Sequence, residues 1–227
     1  MHAETNDWAV RFAAIGAFWK HDGHPARPNV ILTTPTQDGR RRLSNGYFNG
    51  HNVQRHPALF AAACQELVSR ATPLAFPMRR HGDPVPCVIG AEKGGIALAT
   101  RIGEFTHMET AYAEKTADGL AFLRFGFTPR TPLLLVEDTV VRGGTLLKLK
   151  AAAITAVPWG AHFARPILAL CNRSGRQYID GHQIIALIET QMDEWIEDAN
   201  PLTKNGEELV SPVSGKTHWA ELTSTYD

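Results

Sequence analysis

Apolar residues at Trp8, Phe12, Ile15 and Trp19 recur at helical spacing before the Gly- and Pro-bearing HDGHPARPNV interrupts them, which predicts one amphipathic helix at the start of the chain. The next stretch, ILTTPTQDGRRRLSNGYFNG, is turn-rich with two short apolar pieces and reads as a small hood with hairpin character, over roughly residues 25–54. His56-Pro57 then opens a longer helix that carries Leu59, Phe60, Ala63, Cys64, Leu67 and Val68 on one side. From there strand and helix patterns alternate: PVPCVIG, then GGIALATRIGEF as a helix, METAYAEK and LAFLRF as strands, and PLLLVED followed by the helix TLLKLKAAAITAV. ARPILALCN and HQIIALIE extend the arrangement. Apolar strands separated by helices predict an α/β fold with a mainly parallel central sheet flanked by helices. The tail over 190–227 is polar and turn-rich, with Trp195 and Trp219 as docking anchors on the hood or the core.

At 227 residues the chain fits a single domain. Its 23 basic residues balance 23 acidic ones, so no global field gathers nucleic acid or an acidic membrane. Arg40-Arg41-Arg42 and Arg79-Arg80 read as solvated loop charges rather than a nucleic-acid footprint, which needs a continuous basic face. No apolar run approaches the length of a membrane span, and the polar N-terminus lacks a signal-like core, so a cytoplasmic protein is expected. Cys64, Cys87 and Cys171 are far apart in apolar surroundings and read as reduced core residues, not as a disulfide or metal framework.

The chemistry concentrates in LLLVEDTVVRGGT, Leu133 to Thr145, where an apolar strand runs into two adjacent carboxylates and then two glycines. In open parallel sheets ligands sit beyond the carboxyl ends of the strands. A glycine turn into a helix offers backbone N–H groups to a phosphate, and the helix dipole favours the negative charge. Two carboxylates beside such a nest repel the phosphate unless they face sugar hydroxyls or a divalent metal, so a phosphorylated sugar suits both halves.

VEDTVVRGGT resembles the phosphoribosyl-pyrophosphate (PRPP) signature of type I phosphoribosyltransferases, which implies that family's fold, a parallel-sheet core with a small N-terminal hood. The resemblance gives Glu137 and Asp138 the ribose 2- and 3-hydroxyls, and Thr139, Val140, Val141, Arg142, Gly143, Gly144 and Thr145 the 5-phosphate. Further stretches, in order over most of the chain, resemble the orotate phosphoribosyltransferase branch. RLSNGYFNG is similar to the segment against the orotate ring, implying Ser44, Tyr47 and Phe48 as base contacts. CVIGAEKGGIALAT resembles the pyrophosphate loop, implying Gly90, Lys93, Gly94 and Gly95. TAYAEKTADGLAFLRFGF is similar to the segment with a basic residue on a mobile loop that closes over the pyrophosphate; Lys115 is that residue, with Arg124 as a weaker match. ALCNRSG resembles the strand end whose arginine meets the orotate carboxylate, which implies Arg173.

Transfer of a phosphoribosyl group from PRPP to a nucleobase, orotate first, is the implied reaction, with Mg²⁺ as cofactor, Lys115, Glu137 and Asp138 as the catalytic set, and a homodimer as the assembly. A transferase for another base and a non-catalytic PRPP- or nucleotide-sensing regulator on the same fold are the alternatives. The chain departs from the pattern in three places. Val141 stands where the family usually has a threonine and is followed by the bulky Arg142; Glu92 puts an acid in the pyrophosphate loop; and Asn200 and Thr203 replace the cysteines of a Cys-Pro-x-Cys element found in some members, so no metal or redox role is expected of it.

Overall fold

Gly16 stops the first helix earlier than the apolar spacing suggests. In the computed structural model, which describes residues 7–23, 30–31, 38–75, 85–157 and 159–196, helix α1 covers Asp7–Ala14. Gly16 has φ 70°; its amide donates to Ala13 O (2.9 Å) and that of Ala17 donates to Phe12 O (2.8 Å). That left-handed stop suits a residue without Cβ. Trp19 therefore lies on strand β1 (Phe18–Lys20), which corrects the expectation that the opening helix carries it. Trp219, Asn200, Thr203, Arg79 and Arg80 fall outside the described residues.

Contacts divide the chain into two units, 1–52 with 191–227, and 53–190. The first unit holds α1, β1, β2 (Val30–Ile31), β3 (Arg42–Ser44), β4 (Gly46–Phe48) and the last strand, β12 (Glu194–Ile196). β3 pairs antiparallel with β2 and with β12, so Trp195 lies opposite Leu43, whereas β4 pairs with β1, Tyr47 opposite Trp19. Trp8, Phe12 and Phe48 stack in series, with ring centroids 5.6 and 5.9 Å apart. Helix α2 (Gly50–Gln54) carries the chain onward.

The second unit begins with α3 (Pro57–Ala75), where proline's fixed φ suits the first helical position. There follow β5 (Cys87–Ala91), α4 (Gly94–Thr106), β6 (Glu109–Thr116), β7 (Gly119–Ala121), β8 (Pro132–Val140), α5 (Gly144–Ala156), β9 (His162–Asn172), β10 (Tyr178–Ile179) and β11 (His182–Glu189). These strands form one sheet in the order β10-β11-β9-β8-β5-β6-β7. The inner pairings are parallel, and β7 and β10 are antiparallel at the edges. Pro166 is tolerated inside the sheet because β8 and β9 slip register between Leu133 and Leu135.

Two elements depart from the predicted alternation. Only Leu120 and Ala121 of LAFLRF are strand, at the end of β7, and no helix joins β9 to β11; residues 173–181, with the short β10, make that connection. The three cysteines are buried and unbonded, and burial pushes each thiol up to about 12. No helix among the described residues is long and apolar enough to cross a membrane.

The topology itself marks a site. The chain leaves β5 for β6 on one side and leaves β8 for β9 on the other, so the connections diverge between the adjacent strands β5 and β8. Crevices outside the carboxyl ends of strands at such a switch point are where open parallel sheets bind ligands.

Candidate active site

Strand β8 is buried from Leu133 to Val136 and continues through Val140, so the two carboxylates belong to the strand rather than to the turn after it. Successive strand residues point to opposite faces, and the surroundings of the pair follow that rule. Glu137 faces α5, where the Thr145 side chain hydrogen-bonds it. Its other oxygen, Oε2, is buried with no hydrogen-bond partner among the described residues. Burial is the main reason that its pKa rises to about 8; the Thr145 bond opposes the rise and the neighbouring Asp138 charge adds to it. Asp138 faces the other way, against the start of α4. A Cβ on Gly94 would overlap the Asp138 carboxylate, so the acid pair and the loop after β5 fit only because residue 94 lacks a side chain.

The loop from Glu92 to Lys93 is anchored by the Glu92 amide, which donates to Ala113 O (3.0 Å) on β6, and by Gln54 Nε2, which donates to Gly94 O (2.9 Å). Lys93 is exposed at the start of α4. Gly90 and Gly95 meet backbone to backbone where strand and helix pack.

On the other side of the crevice, Thr139 and Val140 end β8 opposite Cys171 and Asn172 of β9. Val141 is half-buried and Arg142 exposed. Gly143 is the N-cap of α5 at φ 78°; a Cβ there would sit 2.6 Å from Ile179 Cδ1, so both conformation and packing call for glycine. No side chain caps α5, and Gly144, where an added Cβ would meet nothing within 4 Å, opens the helix at the surface. Its first-turn N–H groups and dipole favour an anion.

Arg173 follows β9 at the same end of the sheet, 6% exposed; its amide donates to Val140 O (2.9 Å). Its charge opposes the rise of the Cys171 pKa while that of Asp138 promotes it, which puts guanidinium and acid in one electrostatic neighbourhood. Lys115 is not on a loop in this structure. It is exposed on β6, opposite Leu120 of β7 in a hairpin, two residues beyond the Ala113 carbonyl that anchors the Glu92 loop. Arg124 is 70% exposed and pairs with Glu114 (3.0 Å).

Similar proteins place this geometry in a family. No protein-family model matches the chain. The orotate phosphoribosyltransferase of Chlorobaculum parvum is 26% identical over 175 residues, 76% of this chain and 83% of that protein. That of Chlorobium phaeobacteroides is 31% identical over 173 residues, 75% of this chain and 82% of that protein. The chain belongs to the orotate phosphoribosyltransferase family.

Solved structures agree on the fold. The orotate phosphoribosyltransferase from Aeropyrum pernix matches with a TM-score of 0.56 at 16% identity, over 80% of this chain and 92% of that one. Leishmania donovani UMP synthase matches with a TM-score of 0.58 at 14% identity over 82% of this chain; the match spans only 36% of that longer protein.

In this orotate phosphoribosyltransferase relative, the three hood residues singled out for the base each have partners inside the first unit. Ser44 Oγ donates to Asp193 O (2.9 Å) and accepts from the Gly46 amide (3.2 Å). Tyr47 is buried in a cluster with Trp19 and Val30; burial raises its pKa and a hydrogen bond with Asn49 opposes the rise. Phe48 packs on Phe12.

Two features of the site lie outside the residues chosen from sequence. Asn172 is buried beside Arg173 and closes the turn that presents it: Nδ2 donates to Arg176 O (2.7 Å), and Oδ1 accepts from Ser174 N (3.1 Å) and Oγ (2.6 Å). Ile179, which covers Gly143, belongs to a hairpin turning at Asp180-Gly181, where φ is 49° and 79°. An Asp-Gly pair between short apolar runs is the sequence signal for that hairpin.

Proposed function

We propose that the protein transfers the phosphoribosyl group of PRPP to orotate, giving orotidine 5'-phosphate and pyrophosphate. One observation carries the reading: the Glu137-Asp138 pair lies near the carboxyl end of the central strand between two glycine turns, one closing on the acid itself at Gly94 and the other opening into the uncapped N-terminus of α5. Family membership, and the orotate named for the relatives, set the choice of base.

In the reaction the bond from the ribose anomeric carbon to pyrophosphate breaks, a bond from that carbon to the orotate ring nitrogen forms, and the nitrogen loses its proton. Positive charge grows on the ribose ring and negative charge on the leaving group, so positioning and electrostatics supply most of the acceleration. Glu137 and Asp138 hold the ribose hydroxyls from two sides. The turn from Val141 to Thr145 and the first N–H groups of α5 hold the 5-phosphate. The Gly90–Gly95 loop and Lys93 receive the diphosphate, Lys115 brings positive charge to it, and Arg173 meets the orotate carboxylate with a planar fork.

Mg²⁺ belongs to this reading. No three His, Cys, Asp or Glu side chains gather as a metal site among the described residues, and a magnesium ion brought in with PRPP would need few protein ligands, since magnesium commonly binds through one or two carboxylates and substrate phosphates. The buried, unpartnered Glu137 Oε2 and the Asp138 carboxylate are the protein oxygens that fit it. When bound, the ion neutralises charge that develops on the leaving group. A homodimer and a cytoplasmic location complete the proposal.

The test is pyrophosphate release by purified protein with PRPP, Mg²⁺ and, in turn, orotate, uracil and adenine. Release with orotate alone is expected. Release with another base would change the substrate, and PRPP binding without release with any base would make the protein a sensor.

A further inference from the structure

Seven residues into α5 from the Gly143 cap, Lys150 reaches the β10–β11 hairpin. Its Nζ donates to Asp180 Oδ2 (2.6 Å) and lies 3.0 Å from His182 Nε2. The same ammonium sits 5.2 Å above the Phe163 ring, a cation–π distance. His182 Nδ1 lies 3.0 Å from Ala164 O; a carbonyl only accepts, so Nδ1 carries the proton and Nε2 turns its lone pair to the ammonium. Strands β9 and β11 and the turn between β10 and β11 thus converge on one lysine of α5.

The hairpin held there is short. Ile179 pairs with His182 across the Asp180-Gly181 turn, and positive φ at both central residues is the two-residue geometry that matches strand twist. Ile179, next to the clamped Asp180, is buried and presses its Cδ1 into the space that a Cβ on Gly143 would occupy.

We propose that Lys150 is a positioning residue for the 5-phosphate turn: by tying Asp180 and His182 to α5 it holds Ile179 on Gly143, and so keeps the Val141–Thr145 backbone in the shape that receives phosphate. The inference rests on the phosphoribosyltransferase reading of that turn. It assigns no contact with substrate to Lys150; the effect passes through Ile179.

Ribose 5-phosphate and inorganic pyrophosphate probe the two halves of the site separately. Calorimetry on the whole protein should give a Kd for ribose 5-phosphate raised about tenfold by Lys150→Met, with the pyrophosphate Kd unchanged. In the assay, the KM for PRPP should rise more than kcat falls. Lys150→Arg, which keeps a donor for Asp180, should recover most of the affinity. Asp180→Asn, at an exposed side chain, tests the same clamp should Lys150→Met fail to fold. Ile179→Ala should reproduce the ribose 5-phosphate defect. Equal ribose 5-phosphate affinity in Lys150→Met or Asp180→Asn and wild type overturns the clamp alone. A wild-type protein that binds no ribose 5-phosphate overturns the phosphate turn, and the clamp with it.

Discussion

The Asp138 carboxylate fills the space that a Cβ on Gly94 would occupy, so an acid near the end of β8 and the loop that follows β5 pack directly on each other. Two motifs distant in sequence are in this way locked into one site.

Gly94→Ala tests that lock. The new methyl group must push the Asp138 carboxylate aside or open the loop, and a displacement of about 1 Å at a reacting centre can cost on the order of 100-fold in rate. We expect kcat/KM for PRPP to fall by about that factor while the far-ultraviolet circular dichroism stays as in wild type. Activity within twofold of wild type would mean that Asp138 is not held where the reaction needs it.

Glu137 makes stability depend on pH. Its folded pKa of about 8 lies above the 4.5 of a free carboxyl, so between those values the folded chain binds a proton that the unfolded chain lacks. Its contribution is therefore fully present below about pH 4.5 and lost as pH rises through about 8. Glu137→Gln removes the charge while keeping the shape. Its Tm should exceed that of wild type at pH 8.5, by the equivalent of on the order of 1 to 3 kcal/mol, and the gap should close towards pH 5. A gap independent of pH would show that the burial of Glu137 does not govern its ionisation.

What the sequence made legible was the chemistry carried by local order. The acid pair, the glycine turn and the following helix are contiguous, and period-two and period-3.6 patterns were enough to put them at a strand end. Less legible was anything set by partners far along the chain. Nothing in VED tells that Glu137 and Asp138 face opposite sides until β8 is seen to run on through Val140. The spacing from Trp8 to Trp19 fits a helix, yet Gly16 breaks it. The bond that Ser44 Oγ donates to Asp193 O spans 149 positions and leaves no trace in the local sequence. The Asp180-Gly181 turn is local and so is legible as an Asp-Gly pair between short apolar runs, but its packing on Gly143 is not.

Arg173 is presented by a turn that Asn172 closes with three hydrogen bonds. Arg173→Lys keeps the charge and loses the planar fork, which is not a conservative change at a bidentate site. We expect the KM for orotate at saturating PRPP to rise on the order of tenfold or more, in line with the 1.5 to 3 kcal/mol of a hydrogen bond to a charged group. Asn172→Ala should act in the same direction by loosening the turn. Initial rates against orotate measure both; an effect confined to PRPP would move Arg173 from the base to the phosphates.

Val141 offers a gain rather than a loss. It is half-buried at the start of the turn proposed for the phosphate, where the signature that VEDTVVRGGT resembles usually carries a threonine. Valine and threonine are close in shape, so Val141→Thr adds an O–H donor with little change in packing. A hydrogen bond from that hydroxyl to the charged phosphate should lower the KM for PRPP by on the order of tenfold, measured from initial rates at saturating orotate. The double variant with Arg142→Ala separates two accounts of the natural pair. If Arg142 already serves the phosphate in place of the hydroxyl, Arg142→Ala alone should raise the KM and Val141→Thr should restore it. If Arg142 faces solvent, its removal should leave the KM unchanged in both backgrounds, and the added hydroxyl should improve binding by the same factor with or without it.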